Sequence, residues 1–313
     1  MKIYFSVSSF CLLWISFAAL GQQSLVQKLG YTDKDKLLII HADDIGLSHS
    51  ENLATIQSMT AGVVNSTSIM MPCAWSTEVG EMVRDYPHLD IGVHITLTNE
   101  WFTYKWGPVS DAKGLRNDQG FMFADCASVA EFATPEDVEK EMRAQIEAAL
   151  AIGLKPTHLD SHMGCVFFGR PEYLASYLKL AQEYQIPAMV SPEMVSGIIK
   201  ANPALFDFVD VDNLPIIHYI HSASPAAYDQ MGMAGYYSDL LSNLQPGITV
   251  LLIHVAYDDE EMKGVTVRHP YWNSPWRQAD FDYFTSQKAK ELIKSNDIKL
   301  VTWREIGAAI HKP

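Results

Sequence analysis

The stretch Leu37-Leu38-Ile39-Ile40-His41-Ala42-Asp43-Asp44-Ile45-Gly46 decides how the chain is read. A short apolar run ends abruptly in two adjacent carboxylates. Runs of this length, bounded by polar turn residues, form strands buried on both faces. Two carboxylates this close cannot both stay ionised in a dry site without a cation or a shared proton. The pair therefore asks for a metal, a proton-transfer role, or both. The plain alternative is that Asp44 or Ser48 caps the helix that follows.

Working outward, the same alternation repeats. Apolar runs predict further strands at 66–71, 91–97, 156–160, 187–190, 214–220, 249–253 and 298–303. Between them lie helical segments, ending near 61 in the first case and spanning 77–85, 135–152, 172–184, 225–244 and 279–295 in the others. Thr134-Pro135-Glu136-Asp137 is a well-marked helix start, with an N-cap, Pro at the first helical position and acids in the first turn. Eight strands alternating with helices predict an α/β fold. The expectation is a (β/α) barrel, TIM-like or a distorted seven- or eight-stranded variant, in a single domain over 22–313. The segment 99–134 lacks periodicity and is rich in aromatic residues and glycine. Loops this long inside a compact domain are usually functional. Trp101, Tyr104 and Trp106 either wall a substrate or cover the core.

The formal charge of −14 argues against nucleic acid or an anionic membrane as partner. Residues 1–21 read as a signal peptide, with Lys2 before an apolar stretch at 10–20 and small residues before a cut after Gly21. The expected location is secreted or periplasmic, with no membrane contact after cleavage. Cys73, Cys126 and Cys165 would remain, enough for one disulfide, and the sequence does not choose the pair.

Several strands end in residues capable of chemistry. Asp43 and Asp44 end the first, His94 lies near the end of the third, and His158, Asp160 and His162 straddle the end of the fourth. His254 ends the seventh, followed by Tyr257. In a parallel barrel all of these fall on the C-terminal face, where such enzymes keep their active sites. One carboxylate and two imidazoles make an open site for a divalent metal. The second carboxylate can act as a base and His254 as an acid, a division of labour suited to metal-assisted hydrolysis of an amide or ester. His41 is expected to alternate away from the site.

These residues carry a resemblance. Ala42-Asp43-Asp44-Ile45-Gly46-Leu47-Ser48, Gly92-Val93-His94-Ile95-Thr96-Leu97-Thr98 and Thr157-His158-Leu159-Asp160-Ser161-His162 together resemble the YdjC/ChbG family of carbohydrate deacetylases, over about 36–306. The resemblance implies a barrel related to polysaccharide deacetylases and removal of acetyl groups from a small N- or O-acetylated saccharide. By position it implies Asp44, His94 and His162 as metal ligands, Asp43 as base and His254 as acid. A secondary set comprises His158, Asp160, Trp101 and Tyr257. The implied cofactor is a divalent cation: zinc suits the donor set, and magnesium is the alternative. An oligomer is compatible with the sequence. The rival readings are a phosphoesterase on the same scaffold and a non-catalytic sugar binder. Two features depart from the chito-oligosaccharide pattern: Met163-Gly164-Cys165 follows His162, and Val255 follows His254.

Overall fold

Strand β1 (Lys36–Ile45) runs through the centre of a seven-stranded parallel sheet in a computed structural model that describes residues 23–209, 214 and 217–310. The expected signal peptide at 1–21 and part of the strand expected at 214–220 lie outside the described residues. Helix α1 (Leu25–Lys28) precedes β1; α2 (His49–Thr60), β2 (Ser66–Ile69), α3 (Ser76–Asp85) and β3 (Ile91–Ile95) follow. Helices α4 (Cys126–Phe132) and α5 (Pro135–Ala151) lead to β4 (Leu159–Ser161). Helices α6 (Cys165–Phe168), α7 (Pro171–Glu183) and α8 (Pro192–Ala201) lead to β5 (Tyr219–Ser222). Then come α9 (Pro225–Ser242), β6 (Gly247–Ile253), α10 (Glu260–Val265), α11 (Ser274–Thr285), α12 (Gln287–Ser295), β7 (Ile298–Leu300) and α13 (Trp303–Ile310).

The strands lie in the order β4-β3-β2-β1-β6-β5, with β7 paired to the start of β1. Because β6 runs along one side of β1 from Lys36 to Ala42, β7 and β2 share the other side in succession. Asn65 fills the step between them. Its Oδ1 accepts from Ile40 N at 2.8 Å, and its Nδ2 donates to Val301 O at 2.7 Å.

The segment 187–190, expected as a full strand, makes a single ladder pair between Ala188 and Leu159. Pro187 has no N–H to offer, and Ser191 already caps α8. The segment still joins the ends of the sheet. Leu159 N donates to Pro187 O, Met189 N to Leu159 O, and Ile217 N to Val190 O at 3.1 Å. The expected distorted barrel is therefore present, with a thin join where the fifth strand was predicted. The helix expected at 279–295 is two helices. Ser286 adopts an extended backbone and caps α12 through Ala289 N.

Residues 37–40 are fully buried. Side chains alternate along a strand, and β1 separates its faces accordingly. Leu38, Ile40 and Ala42 pack outward with Tyr237 and Phe284, while Leu37 and Ile39 pack with Val250 and Trp303. The second column continues upward to His41 and Asp43. The barrel interior thus passes from aliphatic to ionisable groups within one strand.

Candidate metal centre and active site

Local backbone geometry lets two consecutive residues of β1 face one cavity. The register with β2 is interrupted between Ala42 and Ile45, and Asp44 has a φ of 74°. That left-handed conformation is uncommon for a residue with a side chain and costs free energy. It turns Asp44 back toward the interior beside Asp43. Neither aspartate caps the next helix: Ser48 does so, accepting from Glu51 N at 3.0 Å.

Asp44 Oδ1, His94 Nε2 and His162 Nδ1 form a small triangle. The carboxylate oxygen lies 3.3 Å from His94 and 3.4 Å from His162, and the two ring nitrogens are 3.3 Å apart. All three residues are buried, and Asp44 Oδ1 has no hydrogen-bond partner. The other Asp44 oxygen, Oδ2, accepts from Arg277 at 2.8 Å. One oxygen is therefore held by a fixed cation, and the other is left free to bind an ion.

Each histidine of the triangle is backed by a carboxylate. His162 Nε2 lies 3.0 Å from Glu100 Oε2. His94 Nδ1 lies 3.0 Å from Asp160 Oδ2, at an angle skewed from a hydrogen-bond line. Carboxylates behind metal-ligating histidines fix ring orientation and raise ligand basicity. Asp160 is itself anchored by Ser68 Oγ at 2.8 Å. Gly92 keeps this layer compact, since a Cβ there would meet the His158 ring at 2.5 Å.

The residues fit a divalent cation. Asp43, Glu100 and Asp160 surround the triangle to which Asp44 belongs, and Arg277 is the fixed cation among them. Without a metal the histidines must take up charge instead. Burial pulls His162 down, but Glu100 and Asp44 outweigh it and push it up to about 9. His94 is likewise raised well above the usual histidine value, because Asp160 and Asp43 outweigh its burial. For Asp44, burial is outweighed by Arg277 and the two histidines, which hold it well below the usual carboxylate range. A cation at the triangle would replace those imidazole protons.

Asp43 Oδ1 lies 3.1 Å from His41 Nε2, and its Oδ2 lies 3.6 Å from His254 Nε2. The expectation that His41 alternates away from the site is wrong. Residues 41 and 43 share the inward face of β1, and the His41 ring sits between Asp43 and Asp160, 3.0 Å from the latter. His41 Nδ1 is within 2.9 Å of Ser66 Oγ. Burial lowers the ring, but the hydrogen bonds to Asp160 and Asp43 prevail and raise it to about 9. His254 differs: its burial dominates and lowers it to about 4. Its backbone N–H donates to Asp280 Oδ2 at 2.9 Å, and Tyr237 OH holds the other oxygen at 2.7 Å.

The remaining candidates separate. Asp160 and Trp101 line the cavity. His158 lies beneath the site, fully buried and stacked on Trp303 at 5.0 Å. Tyr257 is outside the cavity wall; its hydroxyl donates to Gln57 at 2.6 Å because the chain after β6 turns toward α2. Trp106 covers the core, donating from its indole to Thr98 O at 3.0 Å. Sequence reasoning missed Glu100, the one signal being an acid just beyond the His94 strand. It also missed the place of Arg277, which bridges Asp44 and Glu51 in the interior. Cys126 and Cys165 form a disulfide between α4 and α6, and Cys73 is free and buried.

The fold and this cluster define a (β/α) barrel with a carboxylate and two imidazoles on the C-terminal rim. The chain belongs to the YdjC-like protein family, whose model matches residues 37–295. It is 30% identical over 287 residues to a carbohydrate deacetylase of Thermus thermophilus, covering 91% of this chain and 99% of that one. A chitooligosaccharide deacetylase of Yersinia enterocolitica is 35% identical over 129 residues, 41% of this chain and 49% of the relative. Among solved structures, a candidate cellobiose-phosphate cleavage protein of Enterococcus faecalis superposes with a TM-score of 0.68. It is 24% identical, and the match covers 87% of this chain and 99% of the other. That likeness bears on the fold alone.

Proposed function

We propose that the protein is a metal-dependent deacetylase of an acetylated saccharide. The observation that carries this is the triangle of Asp44 Oδ1, His94 Nε2 and His162 Nδ1 beside an Asp43 outside it. The names of the relatives support the substrate class. The three donor atoms lie 3.3–3.4 Å apart, close enough to share one ion. One carboxylate and two imidazoles are a donor set suited to zinc, which is the favoured ion, with magnesium the alternative.

Asp44, His94 and His162 would hold the ion, which when bound would acidify a water and polarise the acetyl carbonyl. Asp43 takes a proton from the attacking water. His254 is neutral at pH 7, so it cannot donate at the outset. It becomes a donor by receiving the proton that Asp43 has removed, across the 3.6 Å between them. It then protonates the departing amine or alkoxide. Arg277 keeps Asp44 ionised throughout, and His41 fixes the Asp43 carboxylate.

We also propose that the protein is exported, a reading supported by the expected signal peptide and the Cys126–Cys165 disulfide. The functional reading is tested by measuring acetate and phosphate release across acetylated and phosphorylated sugars, with the bound metal identified by elemental analysis. Acetate release with stoichiometric metal is expected; phosphate release without acetate would favour the phosphoesterase.

A further inference from the structure

The cavity above the triangle, about 440 Å³ in volume, has two unlike halves. The half formed by β1, β3 and β4 carries the ionisable groups described above. The opposite half is formed by β5, β6, the 187–190 join and α8. Its wall presents Met189, Met194, Ile220 and Leu252, and it continues to the rim through Met163 and Phe168. Among the described residues that line the cavity from β5, β6, the join and α8, Ser222 and His254 are the polar ones, and His254 stands at the top of β6 where this wall meets the ionisable half. At the rim, Phe168 is 74% exposed and Met163 45% exposed. Two large apolar side chains thus stand in water at the mouth of a cavity whose far wall is already apolar.

An unsubstituted oligosaccharide suits this wall poorly. Each sugar hydroxyl taken from water needs a new partner, and a buried one left without costs free energy. Aromatic faces can stack on sugar rings, but thioether and branched aliphatic side chains offer neither stacking nor hydrogen bonds. Methionine-rich walls suit flexible apolar groups instead. On the deacetylase reading, upon which this step rests, the group removed is acetyl. The apolar wall must then face another substituent of the same molecule, because both halves belong to one cavity.

We propose that the substrate is amphiphilic: an acetylated saccharide bearing an alkyl or aryl aglycone, with the acetyl at the triangle and the aglycone along Met189, Met194, Ile220 and Leu252. The test compares methyl and octyl β-glycosides of N-acetylglucosamine, below micelle-forming concentration, with N,N′-diacetylchitobiose as a polar extension of similar size. Acetate release by the zinc-loaded protein is measured alongside calorimetric binding to the Asp43→Asn variant. The octyl glycoside is expected to exceed the methyl glycoside at least about tenfold, in kcat/KM and in affinity, as burial of several methylenes implies. Met194→Gln and Ile220→Thr are each expected to lower that ratio. Equal values for the two glycosides, or a preference for N,N′-diacetylchitobiose, overturn the inference and leave the deacetylase reading standing. Faster hydrolysis of an N-hexanoyl than an N-acetyl methyl glycoside also overturns it, by placing the apolar group on the acyl side. Tenfold tighter octyl binding with no acetate from any glycoside overturns the deacetylase reading and supports the apolar contact.

Discussion

The floor of the site and its roof hold the same carboxylate by different means. The floor is made of strand ends. Asp43, Asp44, His94 and Asp160 are placed by the parallel ladders of β1 to β4, where each residue's height follows from its neighbour's register. The roof is made of connections. Glu100 comes from the loop after β3 and Arg277 from α11, while His254, just past the end of β6, is a strand-end residue held from α11 through Asp280. Side-chain contacts hold these groups in place, notably Asp280 under His254 and Glu51 beside Arg277. The floor thus sets where Asp44 and His94 stand, and the roof adds the charges of Glu100 and Arg277 to those of Asp43 and Asp160. The division has a physical cause. Ladder hydrogen bonds are local and repeated, whereas a buried ion pair must satisfy both partners at once or lose much of its worth.

The most severe break is expected on the floor. Asp44→Ala removes both carboxylate oxygens, Oδ1 of the triangle and Oδ2 that accepts from Arg277. Metal content should fall from stoichiometric to none, with hydrolysis at background, as read by elemental analysis and acetate release. Tight stoichiometric metal in that variant would overturn the ligand assignment. Arg277→Met should act oppositely. Removing one partner of a buried pair costs about 3–5 kcal/mol, so the midpoint of urea unfolding should drop sharply. Asp44 keeps its free Oδ1, so metal stoichiometry should survive. Loss of metal without loss of stability would merge floor and roof into one unit.

His254 separates the halves by pH. Its folded value of about 4 lies below the unfolded histidine value of 6.5. The unfolded chain then binds more protons between those limits, so stability is lost as pH falls through that window. Asp280 works the other way. Burial raises it to about 7, so its contribution is fully present below 3.8 and fades as pH rises toward 7. The two adjacent groups therefore offset each other between pH 4 and 6.5 in the metal-free protein. Replacing His254 by Gln should spare the chelated protein roughly 2–3 kcal/mol of the loss between pH 7 and 4.5. Denaturation curves at the two pH values measure it, and equal losses in both proteins would refute the lowered histidine.

The floor was legible in the sequence because period and position along a strand determine which residues meet. Apolar runs ending in Asp43-Asp44, His94 and His162 sufficed to place a donor set on one rim, and the family resemblance assigned its members. Two floor details were not legible. His41 was assigned to the wrong face, although it shares the inward column with Asp43. The positive φ of Asp44, which brings both aspartates to one cavity, leaves no mark in a sequence. The roof was largely hidden. Arg277 meets Asp44 across 233 positions; the sequence singles out Arg277 as a residue that touches substrate or pins the last helix, but does not name its partner. The same holds for the disulfide, whose cysteines are 39 positions apart and whose pairing depends on α4 packing against α6.

Glu100 tests whether the roof does more than balance charge. It touches the triangle only through His162 Nε2, on the ring edge away from the ligand nitrogen. Glu100→Gln keeps an oxygen that can accept from that nitrogen but removes the negative charge. If the carboxylate only orients the ring, the Gln variant should hold metal almost normally and Glu100→Ala should not. If charge makes the imidazole a better donor, the Gln variant should already lose affinity, by about 10- to 100-fold. Charge is expected to dominate. The Coulombic influence of Glu100 is the largest force opposing burial at His162, ahead of the hydrogen bond to the same residue. Competitive metal titration of both variants decides it: near-normal affinity in Glu100→Gln would reduce Glu100 to a prop for the ring, and a shared loss would make it part of the charge that holds the cation.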